Sequence, residues 1–125
     1  MFRIDSDMTI HITRGDIGII EVSAEKNVNE LYTFVPGDVV RFKVYPKKRH
    51  EDVVLVKDVL IESETQAVEF VLERSDTKLG EIINKPAVYW YEVELNPDTS
   101  PQTFIGYDDI GPKLFMLYPE GGDET

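Results

Sequence analysis

The chain has no cysteine, so structural disulfides and thiolate metal sites are excluded outright. It is also short of positive charge: thirteen Lys and Arg stand against twenty-four Asp and Glu, a formal charge of −11. Phosphate backbones and acidic membrane surfaces repel such a chain, because non-specific nucleic-acid affinity needs clustered cations. The one basic run, Lys47-Lys-Arg-His50, is flanked by Tyr45-Pro46 and Glu51-Asp52. It reads as a solvated hairpin tip rather than a nucleic-acid patch. Long apolar runs are missing too. Met1 to Met8 scatters charges where a signal peptide carries its apolar core, and nothing approaches transmembrane length. The expected location is the cytoplasm, or outside it by a route without a Sec-type signal.

Catalytic signatures are equally scarce. The two histidines, His11 and His50, lie far apart, and the glycines stand singly at turns. No Ser/His/Asp order, glycine-rich phosphate loop or HExxH motif is present. The reading is of a protein that is not an enzyme, with no catalytic residues, no cofactor and no metal. Asn96, Asp98 and Thr99, or Asp108 and Asp109, offer oxygen ligands for a cation but follow no EF-hand pattern. Carboxylates two apart, at Glu62/Glu64 and Glu92/Glu94, share a strand face, as solvated acidic rows do. Glycosidases use paired carboxylates at comparable separations, but within a deep cleft that a chain of 125 residues rarely builds.

What the chain does have is strand signal. Three runs crowd the last third: Val88-Tyr-Trp-Tyr-Glu-Val-Glu-Leu95, Gln102-Thr-Phe-Ile-Gly-Tyr107 and Lys113-Leu-Phe-Met-Leu-Tyr118. Pro, Gly, Asn and Asp clusters separate them, as between antiparallel strands. Val40, Phe42 and Val44 alternate with Arg41, Lys43 and Tyr45, the clearest period of two in the chain. Val53 to Ile61 is more continuously apolar, as in a strand covered on both faces or crossing between sheets. Val68, Phe70 and Leu72 alternate with Glu69 and Glu73. The only helical signal is a short turn near 75–83, with Ser75 or Asp76 as N-cap and Gly80 limiting its length. Arg14-Gly15-Asp16 matches the string integrins recognise, but it sits where a tight turn between strands needs the glycine.

About eight strands, turns every eight to twelve residues and no βαβ helix predict an all-β fold: an antiparallel two-sheet sandwich, immunoglobulin-like in plan. A closed barrel is the alternative. Residues 1–119 form one domain on this reading, and the acidic 120–125 is a flexible tail. Parity along the aromatic run sends Tyr89, Tyr91, Val93 and Leu95 inward and Trp90, Glu92 and Glu94 to the opposite face. Trp90, Glu92, Glu94 and Tyr107 are therefore the candidate contact surface, suited to a protein partner or a stacked sugar ring.

Three strings carry a family resemblance: Ile12-Thr-Arg-Gly-Asp-Ile-Gly-Ile-Ile20, Pro36-Gly-Asp-Val-Val-Arg-Phe-Lys-Val44, and Tyr89-x-Tyr-x-Val-x-Leu95. Together they are similar to small bacteriophage and prophage tail proteins, in particular the β-sandwich N-terminal domain of baseplate upper proteins. The matching positions span roughly Thr9 to Glu120, with no counterpart of that family's helical linker or receptor-binding portion. The resemblance implies a structural module that docks on other tail or baseplate proteins, or on a second copy of itself. It also implies assembly in the bacterial cytoplasm and a place in the virion. No catalytic residue carries over.

Overall fold

A computed structural model of the chain describes residues 1–46, 52–108 and 111–120. The predicted basic hairpin tip, Asp109 and residues 121–125 of the acidic tail lie outside them. Among the described residues strand is the dominant regular structure and helix is limited to one turn, so the all-β expectation holds. The strands are β1 (Phe2–Ile4), β2 (Ile10–Thr13), β3 (Gly18–Val22), β4 (Glu25–Asn27), β5 (Glu30–Leu31) and β6 (Val39–Pro46). They continue with β7 (Leu55–Leu60), β8 (Val68–Leu72), β9 (Ala87–Leu95), β10 (Gln102–Ile105) and β11 (Lys113–Tyr118). A single helical turn, α1 (Arg74–Thr77), follows β8.

These strands form one large sheet in the order β1-β2-β11-β9-β6-β7, with β10 also on β9, and two small ribbons, β3-β8 and β4-β5. The expected count of eight rises to eleven because β1, β4 and β5, at two or three residues each, are too short to leave a period-two signal. The expected antiparallel pairing is corrected at one place. β11 runs parallel to β2, with Phe115 opposite Ile10 and Leu117 opposite Ile12. Alternation marks a strand and its faces but carries no information on its neighbour's direction. Here nearly the whole chain serves as the connection between the parallel pair.

The core lies between the large sheet and the β3-β8 ribbon. Ile10, Ile12, Val40, Phe42, Val44, Tyr91, Val93, Phe115 and Leu117 are buried on the large sheet, and Ile20, Val22, Val68, Phe70 and Leu72 on the ribbon. Phe42 joins the layers: its ring centroid is 5.7 Å from Phe70, 5.4 Å from Tyr91 and 6.5 Å from Phe115. Burying each such ring contributes on the order of 1.5–3 kcal/mol. Tyr89 and Leu95, also assigned inward by parity, pack half-buried against this cluster. Phe34 closes one end, against Tyr32 at 5.1 Å and Phe104 at 5.9 Å.

The apolar 53–61 segment departs from expectation. β7 hydrogen-bonds only to β6 and is an edge of the large sheet. Val56 and Leu60 face outward, 48% and 59% exposed, so the apolar run marks an edge and not a strand covered on both faces.

The helical turn begins earlier than the sequence suggests and stops at Thr77. Glu73 is the N-cap, and its backbone N–H donates to the Asp76 carboxylate at 2.9 Å. Thr77, fully buried, donates its hydroxyl to the Asp16 carbonyl at 2.8 Å and accepts from the Gly15 N–H at 2.9 Å. This fastens α1 to the Arg14-Gly15-Asp16 turn, where Gly15 has φ +88°. The Arg14 side chain is almost buried and donates to the Gly80 carbonyl at 3.0 Å and to Glu120 at 2.9 Å. The string is thus a structural turn whose arginine points into the protein, and Glu120, placed with the tail by sequence, is held by it.

A second polar anchor sits where Pro36-Gly37 turns into β6. The buried Asp38 carboxylate accepts from the Val35 N–H at 3.0 Å, the Tyr32 hydroxyl at 2.9 Å and the Asn96 amide at 3.1 Å. Asn96 also accepts from the Val39 N–H at 2.9 Å, linking the start of β6 to the end of β9. Burial raises the Asp38 pKa, but the bonds from Val35, Asn96 and Tyr32 outweigh it and hold the carboxyl below its ordinary value. A depressed folded-state pKa gives stability that is present above the unfolded value of about 3.9 and lost as pH falls through the folded one. Asp38→Asn is therefore expected to unfold at lower urea than the parent at pH 7, with the gap narrowing below about pH 4. A gap constant across that range would show that the charge contributes nothing.

Candidate functional site

The face of the large sheet turned away from the β3-β8 ribbon carries the candidate surface. β9 is its centre. On one side β6 pairs with it, Tyr45 opposite Trp90, Lys43 opposite Glu92 and Arg41 opposite Glu94. On the other, β11 sets Leu114 opposite Trp90, while β10 sets Thr103 opposite Glu94. Residues directly opposite share a face. Trp90, Glu92 and Glu94 therefore stand in one row, flanked by the outward row Arg41, Lys43 and Tyr45.

The lower end of this face is a charge lattice in which two cations are set among four carboxylates. Lys43 Nζ lies 2.5 Å from Glu94 and 3.9 Å from Glu92. The Tyr45 hydroxyl donates to Glu92 at 2.7 Å. Arg41 is forked onto Asp58 at 2.7 and 3.0 Å and reaches Asp98 at 3.2 and 3.3 Å. Burial lowers the Lys43 pKa, but hydrogen bonds to Glu94 and Tyr45 more than compensate and hold it raised. The Tyr45 phenol is pushed up by burial and then by Glu92. The sequence predicts a solvated acidic row at Glu92 and Glu94. The Glu94 side chain is instead only 14% exposed and salt-bridged to Lys43.

The upper end is aromatic. Trp90 is half-buried, and Tyr107, 73% exposed in the segment after β10, meets it edge-on with ring centroids 6.4 Å apart at 62°. A small cavity of about 90 Å³ lies between them, lined by Tyr45, Trp90, Glu92, Tyr107, Pro112 and Lys113 among others. The structure therefore brings all four predicted contact residues onto one continuous surface: Trp90 and Tyr107 at one end, Glu92 and Glu94 at the other.

The oxygen-rich loops are already engaged. Asn96 binds Asp38, Asp98 meets Arg41, and Asp108 pairs with Lys113 at 2.7 Å. Among the described residues no group of three or more His, Asp and Glu is disposed to hold a metal ion. No described helix is long and apolar enough to cross a membrane.

Sequence reasoning missed the cations that complete the surface, Arg41 and Lys43. Their parity was legible, but their pairing with Glu92 and Glu94 depends on β6 lying beside β9. It also missed His11, which is buried, 2.7 Å from the Tyr118 hydroxyl through Nδ1 and 2.7 Å from Asp5 through Nε2. That contact ties the loop after β1 to the end of β11, and the His11 bond is the foremost reason the Asp5 carboxyl is held low. No protein-family model, curated protein or solved structure matches this chain.

The lattice yields a direct test. Lys43→Met leaves Glu92 and Glu94 without their cation and is expected to cost about 1–3 kcal/mol in urea unfolding. Adding Glu94→Gln should recover part of that loss, a coupling that independent sites would not produce.

Proposed function

We propose that this chain is a non-catalytic structural module of a bacteriophage or prophage tail or baseplate, acting through protein–protein contact. Its partners on this reading are other tail or baseplate proteins or a second copy of itself, met in the bacterial cytoplasm during assembly and retained in the virion. The observation that carries the reading is the outward sheet face around β9. Its carboxylates are each paired with a cation or a hydroxyl of this chain, and the half-buried Trp90 and the exposed Tyr107 lie beside them. Aromatic side chains inside a ring of satisfied polar groups are how protein interfaces concentrate their energy. The phage setting rests on the resemblance of the turn-and-strand strings. The packing of the β3-β8 ribbon on the large sheet supports a sandwich of immunoglobulin-like plan, with one parallel pair added.

A second reading, a carbohydrate-binding or adhesin-like module, is favoured by one specific feature: the Trp90–Tyr107 pair beside hydrogen-bonding carboxylates suits a sugar ring. Mass spectrometry of virions purified from the induced host is expected to find the protein at a level comparable to other tail components, and consistent absence would sink the assembly reading. On a glycan array the parent should stay silent. A signal lost in Trp90→Ala would move the assignment to carbohydrate binding.

A further inference from the structure

The layer opposite the Trp90 face carries a sheet surface of its own. Among the described residues β3 and β8 pair as strands only with each other, so the ribbon is two strands wide. Its inner row, Ile20, Val22, Val68, Phe70 and Leu72, is buried in the core. Its outer row alternates differently from an ordinary solvated face. Ile19 is directly opposite Val71, and both are about half exposed, at 52% and 45%. The next outward pair is Glu21 opposite Glu69, both exposed. Ile17, 57% exposed, extends the apolar end.

Two like charges directly opposite on one face are mutually destabilising, and an aliphatic pair in water gains nothing from its exposure. Among the described residues no cation forms a salt bridge with either acid, and two that are engaged elsewhere are Lys57, on Asp76 at 2.8 Å, and Arg14, on Glu120. On the Trp90 face every acid of the outward row has a basic or hydroxyl partner from this chain. The ribbon presents the same alternation of carboxylate and hydrophobe without the cations.

We propose that the β3-β8 ribbon is a docking edge for an extended segment of a partner protein, whose outward residues alternate cationic and aliphatic. Added as a third strand alongside β3, such a segment sets a Lys or Arg beside Glu21, with Glu69 one strand further across the ribbon, roughly 9.5 Å away. Its aliphatic residue lies beside Ile19 and Val71. Strand addition satisfies the backbone of a two-stranded ribbon, and side chains two apart supply the selectivity. Charge complementarity selects this occupant over an acidic or wholly apolar one. The inference does not depend on the Trp90 face: it concerns the other layer and goes beyond the function proposed above.

The probe is the synthetic peptide Lys-Thr-Val-Thr-Lys-Thr-Val, titrated into the isotopically labelled full chain and followed by amide chemical shifts. Shift changes are expected to concentrate in Gly18–Val22 and Val68–Leu72. Glu21→Lys combined with Glu69→Lys should weaken binding at least roughly tenfold. Glu62→Lys combined with Glu64→Lys changes the net charge equally at two other exposed carboxylates and should leave binding within about twofold. Glu69→Lys alone should raise the urea midpoint of the free chain, because the opposed pair becomes attractive; this also reports that the variant folds. The proposal is overturned if the peptide does not bind, if a scrambled peptide of the same composition binds as well, or if the two double variants weaken binding equally. Shifts located around Trp90 would overturn it too. So would a self-association of the free chain, seen by sedimentation, that the Glu21 and Glu69 variants abolish, since the occupant would then be a second copy.

Discussion

Alternation along β9 is the constraint on which the rest of the molecule depends. Its nine residues pair with β6 on one side and with β11 and then β10 on the other, so β9 is the one strand that touches both halves of the large sheet. A slip of one residue would send Tyr91 and Val93 to water and Trp90, Glu92 and Glu94 into the core. Several interactions resist that slip. The Tyr91 ring packs on Phe42, and its hydroxyl donates to the Met8 carbonyl at 2.6 Å. Asn96, just past the strand, is bonded to Asp38 and Val39. The inward row thus holds the two layers together, and the outward row is thereby committed to the surface.

The same register solves an electrostatic problem. A chain of −11 must place acidic side chains close together on any sheet it builds. On the outer face it does so by interleaving: β6 contributes Arg41 and Lys43 between the acids of β9 and Asp58 of β7. The carboxylates there meet cations that the backbone register places beside them. The β3-β8 ribbon has no such third strand, and its acids stay opposed. The contrast between a charge-satisfied face and a charge-frustrated one, both built from alternating acids and hydrophobes, distinguishes the two surfaces of the molecule.

The turns show how local chemistry was converted into long-range fixation. Arg14-Gly15-Asp16 joins β2 to β3, yet its arginine reaches Gly80 and Glu120, and its backbone meets Thr77. The Pro36-Gly37 turn is closed by Asp38, which also reaches Asn96 from the other end of the chain. In each case one side chain at a turn satisfies groups more than fifty residues away. These turns therefore act as staples in a protein that has no disulfide.

The strands around Val40 to Val44, Val68 to Leu72 and Tyr89 to Leu95 were legible in the sequence, and so were their inward and outward faces, because a period of two is a local property of the extended backbone. The all-β class followed from the same local signal, as did the outward placement of Trp90, Glu92 and Glu94. What each strand lies beside was not legible. The parallel pairing of β2 with β11, the edge position of the apolar β7, the ion pairs that quiet Glu92 and Glu94, and the uncompensated Glu21–Glu69 pair all depend on which residues meet across distances of tens of positions. Those meetings are decided by burial of the shared Phe42, Phe70, Tyr91 and Phe115 core. Alternation in the sequence determined which side chains could face outward; only the packed sheets decided whether an outward carboxylate meets a cation, a ring or another carboxylate.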